Sequence, residues 1–264
     1  MIDSAGVWQD VVAIRARSPL VHNVTNFVVM DFTANALLAL GASPVMAHAP
    51  QEVAEMASLA SAVVLNMGTL DENWVASLSA ALAAAREQGK PVVFDPVGAG
   101  ATAYRTEAAQ RLLAAGGISV VRGNASEIAV LAGAAGRTKG VDSLDESLHV
   151  ADAATNLLDA CNVVVISGAC DVVVGRDRRC VVNNGCAMMA RVTGMGCTAT
   201  ALTGAFLAVQ PDPFLAGAHA MAVMGIAGEL AAFQSGGPGS LRLHFLDALH
   251  NLDESMLTSF LRVE

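Results

Sequence analysis

Basic residues are scarce in this sequence. It has 15 Lys and Arg against 24 Asp and Glu, which gives a formal net charge of -9. A protein that binds the phosphate backbone of nucleic acid needs a basic face, so the composition argues against a nucleic-acid partner. With 264 residues that are 54% hydrophobic, the chain is long enough for a full core. We therefore expect a single domain over residues 1–264 that binds small molecules.

The sequence also lacks the pattern of a secretory signal and that of a clear membrane span. Residues 1–12 contain no Lys or Arg, so the basic start of a signal peptide is missing. Residues 215–233 form the most apolar stretch, but His219 and Glu229 interrupt it, which favours a buried helix. We expect a cytoplasmic protein with no membrane partner.

Paired cysteines are lacking as well. The five cysteines form no C-x-x-C motif, and an odd number cannot all pair within one chain. Most of them are expected to be small apolar core residues in a reducing compartment. They lie at Cys161, Cys170, Cys180, Cys186 and Cys197.

Helical and strand-like segments alternate along the first half of the chain. The periodicity predicts helices over residues 30–40, 51–60, 71–88 and 106–115, separated by the apolar strands "SPVMA", "AVVLN", "PVVF" and "ISVV". Strands that are apolar on both faces and alternate with helices are typical of a largely parallel sheet covered on both sides.

The rhythm changes after Asn162. The segments "NVVVIS", "DVVVG" and "RCVVN" follow one another with short turns, which predicts an antiparallel or mixed edge. A helical C-terminal third is expected from Gly196 onward. The polar residues 133–146 are expected to form a flexible loop.

Polar or glycine residues follow each predicted strand. They occupy positions 66–69, 95–100, 122–127 and 167–168. Functional residues in open α/β sheets lie beyond the carboxyl ends of the strands, so we expect a site at this edge.

A glycine-rich turn in "RVTGMGCTAT" opens a predicted helix and could bind an anion through free backbone amides. The P-loop motif G-x-x-x-x-G-K-[ST] is absent. Gly194, Gly196 and Ala199 match the dinucleotide fingerprint G-x-G-x-x-A. That match falls late in the chain and no strand-end acid follows at the right distance, so a dinucleotide oxidoreductase is a weaker hypothesis.

Four polar side chains after predicted strands are candidates for binding magnesium and phosphate. Asp95 ends a buried strand, where a carboxylate can reach a metal or its waters. Asn124 and Glu127 share the first turn of a helix and could face one ion, although their spacing favours an N-terminal capping box. Arg122 directly follows a buried strand, and its guanidinium suits a phosphate.

Several segments together resemble one family, the hydroxyethylthiazole kinases of the ribokinase-like superfamily. They are "HNVTNFVVMDFTAN", "LALGASPVMA", "NMGTL", "VVFDPVGAGAT", "VVRGNASEI" and "RVTGMGCTATALTGAFLA", in order from His22 to the end of the chain. The resemblance implies a three-layer α/β/α sandwich with a mostly parallel sheet and a homotrimer with active sites at subunit interfaces. It also implies Mg²⁺-dependent transfer of the ATP γ-phosphate to the alcohol of 4-methyl-5-(2-hydroxyethyl)thiazole, for thiamin diphosphate synthesis.

The same resemblance implies roles for individual residues. Cys197 would stand where many superfamily kinases place a catalytic aspartate, and the amides from Gly194 to Cys197 would form the anion hole. The remaining roles would be thiazole binding by Met46, Gly194 and Asn26; ATP binding by Arg122, Ser167, Gly196 and Asn124; and Mg²⁺ binding by Asp95 and Glu127.

Cys197 leaves two hypotheses open. A helix N-terminus lowers the pKa of a cysteine, so Cys197 could be a thiolate that accepts the substrate proton. Bound phosphates oppose a second negative charge, and Cys197 could then only orient the hydroxyl or pack beneath the turn.

Other functions stay open too. A related kinase for hydroxymethylpyrimidine or pyridoxal would share the Mg-ATP machinery, and a non-catalytic thiazole or nucleotide sensor would share the pocket. His22 and His219 have no metal-like partners and are expected to be structural.

Overall fold

The computed structural model describes residues 2–134 and 150–264, and the described residues are built around one eight-stranded sheet. Most of the predicted loop at 133–146 lies outside the described residues. The strands are β1 (Leu20–Val24), β2 (Ser43–Val45), β3 (Ala62–Asn66), β4 (Val92–Asp95), β5 (Ile118–Asn124), β6 (Cys161–Ser167), β7 (Asp171–Val174) and β8 (Arg179–Val182).

The sheet has the spatial order β2-β1-β3-β4-β5-β6-β7-β8. Every pair from β2 to β6 is parallel, whereas β7 and β8 are antiparallel additions. The predicted parallel sheet with a mixed edge is therefore confirmed. Because the six parallel strands point the same way, the polar residues that follow them meet at one edge.

Helices cover both faces of the sheet. Neighbouring residues of β3 belong to different cores, since Val64 packs in one apolar cluster and Val63 and Leu65 pack in the other. The three-layer arrangement predicted from the sequence is thus confirmed. The α-helices that lie wholly within the described residues are α1 (Ser4–Arg17), α2 (Met30–Leu40), α3 (Val53–Leu59), α4 (Glu72–Glu87), α5 (Ala103–Ala115), α6 (Ala125–Leu131), α7 (Met195–Leu207), α8 (Pro213–Phe233), α9 (Pro238–Asn251) and α10 (Glu254–Phe260).

Two elements near the start of the chain were not predicted. Strand β1 carries His22 and Asn23 in its centre, and both are fully buried. Two polar residues in five break the apolar pattern that marks a parallel strand, so the pattern did not predict β1. Helix α1, before it, begins at an N-cap in which Asp3 accepts a hydrogen bond of 2.8 Å from the amide of Gly6.

Helix α8 passes through the core. It is the only described helix long and apolar enough to cross a membrane by length and composition, and 89% of its most apolar window is buried. This confirms the prediction of a buried helix at 215–233. All five cysteines are free thiols, and three of them (Cys161, Cys170 and Cys180) are buried, as predicted.

Candidate active site

The carboxyl ends of β3 and β4 carry a buried polar pair. Asn66 and Asp95 are register partners at these strand ends, and Asn66 Nδ2 donates to Asp95 Oδ2 at 2.7 Å. Thr200 of α7 donates to the same oxygen at 2.8 Å. All three residues are almost completely excluded from solvent. Helix α7 is thereby tied to the edge where the sequence predicted a site.

Two more predicted site residues join this pair. Asn26, which follows β1, donates from Nδ2 to Asn66 Oδ1 at 2.9 Å and to the sulfur of Cys197 at 3.4 Å. The fold therefore brings Asn26, Asp95 and Cys197 together although they are far apart in sequence. We call Asn26, Asn66, Asp95, Cys197 and Thr200 the strand-end cluster.

Cys197 does not have the lowered pKa that its helix N-terminus predicted. Burial, reinforced by the negative charge of Asp95, raises the pKa of Cys197 to about 11, against weaker stabilisation of the thiolate by Asn66 and Asn26. Of the two hypotheses left open for Cys197, the raised pKa favours the protonated thiol in the unliganded protein. Burial also raises the pKa of Asp95 to about 6, although Arg122 and the hydrogen bonds from Thr200 and Asn66 oppose the shift.

The turn before α7 needs its glycines. Gly194 is the N-cap residue and has a φ of 89°, and a Cβ there would lie 2.8 Å from Cγ1 of Val29. A Cβ on Gly196 would lie 2.9 Å from Nη1 of Arg122, so the guanidinium packs directly on the start of α7. The first backbone amides of a helix have no hydrogen-bond acceptor within the helix. At the start of α7 these amides lie beside the positive charge of Arg122, an arrangement that suits an anion.

A cavity of about 780 Å³ adjoins the cluster on the β5 and β6 side. Arg122 and Ser167 form part of its wall and are joined by a hydrogen bond of 3.0 Å from Nε to Oγ. Gly196 and Asn124 also line it. The four residues predicted to bind ATP therefore share one cavity. Its volume lies within the range of small-molecule sites.

Asn124 and Glu127 form the capping box that their spacing predicted. Asn124 Oδ1 accepts from the amide of Glu127 at 2.9 Å, and Glu127 Oε2 accepts from the amide of Asn124 at 2.9 Å. The other oxygen of Glu127 accepts from the amide of Gly98 at 2.8 Å. Glu127 thus joins the loop after β4 to the start of α6.

Met46 and Gly194 are not part of the cavity wall. Met46 directly follows the edge strand β2, and His22 holds the next residue through a hydrogen bond of 2.6 Å from Nε2 to the carbonyl of Ala47. His219 is buried, and its Nδ1 is hydrogen-bonded to Oδ2 of Asp10 at 2.7 Å. Both histidines have structural roles, as expected.

Sequence reasoning missed two residues in and around the cavity. Asp171 lines it next to the Ser167 turn and accepts a hydrogen bond from the amide of Gly168 at 3.3 Å. Burial raises the pKa of Asp171 to about 6, against the charge of Arg122. The sequence did contain a signal for Asp171, because an acidic residue two positions after the "SGA" turn lies close to the carboxyl end of a predicted strand. The position of Thr200 opposite Asp95 had none, because it depends on how α7 packs.

The site has suitable oxygen ligands for a magnesium ion. No group of three potential His, Cys, Asp or Glu ligands occurs within residues 2–134 and 150–264. However, Mg²⁺ keeps several waters and is bound by one or two carboxylates plus substrate phosphates. Asp95 and Glu127 are close enough for Glu127 to raise the pKa of Asp95, and both hydrogen bonds to the Asp95 side chain reach Oδ2. Oδ1 accepts none from the described residues, so the pair fits such an ion.

Comparison with known proteins explains this combination of a cavity and a strand-end cluster. Residues 11–255 match the model of the hydroxyethylthiazole kinase family. The chain belongs to this family. It is 52% identical over 264 residues to hydroxyethylthiazole kinase of Syntrophus aciditrophicus, covering 99% of this chain and 98% of that protein. It is 54% identical over 254 residues to hydroxyethylthiazole kinase of Nitratidesulfovibrio vulgaris strain DP4, covering 96% and 95%.

Solved structures agree with this membership of the hydroxyethylthiazole kinase family. The hydroxyethylthiazole kinase protein of Pyrococcus horikoshii superposes with a TM-score of 0.90 at 44% identity, with 98% of each chain covered. Pyridoxal kinase of Staphylococcus aureus superposes with a TM-score of 0.61 at 18% identity over 79% of this chain and 87% of that one, a likeness of fold alone. The predicted ribokinase-like fold and the family resemblance are confirmed.

The dinucleotide hypothesis lacks its structural context. A short 3₁₀ helix, Ala187–Arg191, precedes the G-x-G-x-x-A turn, where a dinucleotide fingerprint needs a strand. The turn lies instead within residues 11–255, which match the hydroxyethylthiazole kinase family.

Proposed function

We propose that the protein transfers the γ-phosphate of ATP to the primary alcohol of 4-methyl-5-(2-hydroxyethyl)thiazole. The position of Arg122 carries this proposal beyond family membership. Arg122 lines the cavity and packs on Gly196, and its charge opposes the rise in the pKa of both Asp95 and Cys197. A cation between a nucleotide-sized cavity and a polar cluster suits a phosphoryl group that moves from one to the other.

Arg122 and α7 would stabilise the transferring group. The alcohol oxygen forms a bond to the γ-phosphorus as the bond to the ADP oxygen breaks, and the hydroxyl proton leaves to solvent. The transition state is loose, so positioning and charge neutralisation contribute more than early deprotonation. The guanidinium of Arg122 and the free amides from Gly194 to Cys197 supply that neutralisation, while Ser167 holds the guanidinium in place.

Cys197 would orient the alcohol. A thiol whose pKa is raised to about 11 stays protonated at neutral pH, so it is a poor base before transfer begins. Its sulfur accepts a hydrogen bond from Asn26, which is the predicted thiazole contact. The pair is therefore suited to direct the hydroxyl oxygen toward the start of α7.

Asp95 and Glu127 would hold Mg²⁺ together with the phosphates of ATP. The ion would neutralise charge on the β- and γ-phosphates. Glu127 keeps its place through the amides of Asn124 and Gly98. The hydrogen bonds from Asn66 and Thr200 hold Asp95 through Oδ2. Its Oδ1 accepts no hydrogen bond from the described residues and is available to a ligand.

We also infer that the chain acts in the cytoplasm as one kinase domain within a homotrimer. One continuous sheet with an apolar core on each face supports the single domain. Phe27 is 58% exposed and Val28 67% exposed immediately after Asn26, which supports a subunit interface beside the thiazole site. Such an interface could also bring a partner surface near Met46, which lies outside the cavity.

ADP release from the purified protein tests the activity. With Mg-ATP, we expect release that depends on the thiazole alcohol and is at least tenfold slower with hydroxymethylpyrimidine or pyridoxal. Equal or faster turnover of either alternative would overturn the choice of substrate. Tight thiazole binding without any ADP release would indicate a sensor in place of a kinase.

A further inference from the structure

We propose that Asn66 is a positioning residue for the reaction, which rests on the proposed function. The side-chain amide of Asn66 is hydrogen-bonded to two residues: Asn26, which is predicted to bind the substrate, and Asp95, which is predicted to bind the metal. Asn66 itself is fully buried at the end of β3 and does not line the cavity. It therefore acts through its neighbours.

The hydrogen bonds of Asn66 define the orientation of its amide. Oδ1 accepts from the backbone amide of Gly68 at 2.9 Å, and that group can only donate. Nδ2 donates to Asp95 Oδ2 at 2.7 Å, and an ionised carboxylate can only accept. The opposite orientation would place two donors together on one side and two acceptors together on the other. The backbone of Asn66 is held as well, since Trp74 Nε1 donates to its carbonyl at 3.0 Å.

This orientation in turn determines that of Asn26. Because Asn66 presents its oxygen, Asn26 must turn Nδ2 toward it, at 2.9 Å, and the same nitrogen donates to Cys197 at 3.4 Å. Asn26 Oδ1 accepts no hydrogen bond from the described residues and is left as an acceptor for a ligand hydroxyl. Gly68 confines Asn26 from the other side, because a Cβ on Gly68 would lie 2.5 Å from the Asn26 side chain.

Asn66 thus connects alcohol binding to the metal-binding carboxylate. Its two functional groups act on different partners: Oδ1 on Asn26 and Nδ2 on Asp95. Loss of either contact lets a reacting group move, and a displacement of 1 Å can slow a reaction about 100-fold. Binding of ATP without Mg²⁺ should be spared, because Asn66 has no hydrogen bond to Arg122 or Ser167.

Two variants separate these contacts. Asn66→Ala removes both, and we expect kcat to fall about 100-fold and the Kd for the thiazole to rise about tenfold. Asn66→Asp is nearly isosteric and keeps an oxygen for Asn26 and Gly68, but the ionised side chain loses the donor to Asp95 and places a second negative charge beside it. We expect it to recover the thiazole Kd to within about threefold of wild type while kcat stays low. In both variants the Kd for ATP, measured without Mg²⁺, should stay within about threefold of wild type.

Calorimetric titration with the thiazole alone and with ATP alone measures the affinities, and ADP release measures kcat. Asn23→Ala is the matched control, because Asn23 is also fully buried near a strand end but its side chain donates only to the carbonyl of Val21, at 3.0 Å. It should leave kcat and both Kd values within about threefold of wild type. If the role of Asn66 were purely structural, variants at Asn66 and at Asn23 that lose the same amount of stability would show the same changes in kcat and in both Kd values.

The inference is overturned if Asn66→Ala keeps kcat within threefold of wild type, or if ATP affinity falls as much as thiazole affinity. It is also overturned if Asn66→Asp fails to recover thiazole affinity. Wild-type protein that binds the thiazole but releases no ADP would contradict the proposed function. The affinity comparison between the two variants needs no turnover and would still decide the role of Asn66.

Discussion

The buried carboxylate of Asp95 should lower the stability of the folded protein at neutral pH. Asp95 is 1% exposed, and burial raises its pKa from the ordinary 3.8 to about 6. Between these values the folded protein binds the proton more strongly than the unfolded chain, so stability falls as the pH rises through this window. Since a tenfold change in affinity is 1.36 kcal/mol, the cost above this window is about 3 kcal/mol.

The substitution Asp95→Asn removes that cost. It keeps an oxygen that can accept from Asn66 and Thr200, and it cannot ionise. We expect the free energy of unfolding to rise by about 3 kcal/mol at pH 8 and by roughly half of that at pH 5, while kinase activity is lost. Urea unfolding at both pH values, in EDTA and without nucleotide, measures the difference.

An exposed carboxylate provides the control. Asp152 pairs with Arg179 at 3.0 Å, but its side chain is 84% exposed, so Asp152→Asn should change the stability by less than about 0.5 kcal/mol at either pH. Equal stabilisation by Asp95→Asn at pH 5 and pH 8 would refute the electrostatic reasoning. Destabilisation at pH 8 would show that the ionised carboxylate is favourable where it lies.

Substitutions at three further residues test separate parts of the molecule. Arg122→Gln should raise KM for ATP about 10-fold to 100-fold through loss of charge-assisted hydrogen bonds; steady-state kinetics that show only a change in thiazole KM would place Arg122 elsewhere in the reaction. Cys197→Ala should lower kcat about tenfold while Cys197→Asp is tolerated, and an unchanged kcat in the alanine variant would leave Cys197 as a packing residue. His219→Ala should cost about 2 kcal/mol in urea unfolding, because it removes the 2.7 Å hydrogen bond to buried Asp10 and leaves only the hydrogen bonds from Gln210 at 3.1 and 3.2 Å. KM and kcat of the folded fraction should not change, and a stability within 1 kcal/mol of wild type would contradict the importance of this hydrogen bond.

Much of the sheet could be predicted from local pattern. The strands "AVVLN" and "NVVVIS" are apolar runs between helices, and the structure places them at Ala62–Asn66 and within Cys161–Ser167. The capping box of Asn124 and Glu127 was equally local, because its two residues belong to one helical turn. Strand β1 was missed because His22 and Asn23 are buried polar residues whose environment depends on distant segments.

Local pattern was enough to predict the fold class, the family and the edge of the sheet that carries the candidate site, because periodicity and motif spacing are properties of neighbouring residues. Only the tertiary structure decided the chemistry of that edge. The pKa of Cys197 is raised and not lowered, because burial and the charge of Asp95 outweigh the hydrogen bonds from Asn66 and Asn26 and the charge of Arg122. Likewise, Asn66 joins Asn26 to Asp95 only because β1, β3 and β4 end side by side. Desolvation and contacts between strand ends depend on which segments pack together, and that arrangement is not a property of any one of them.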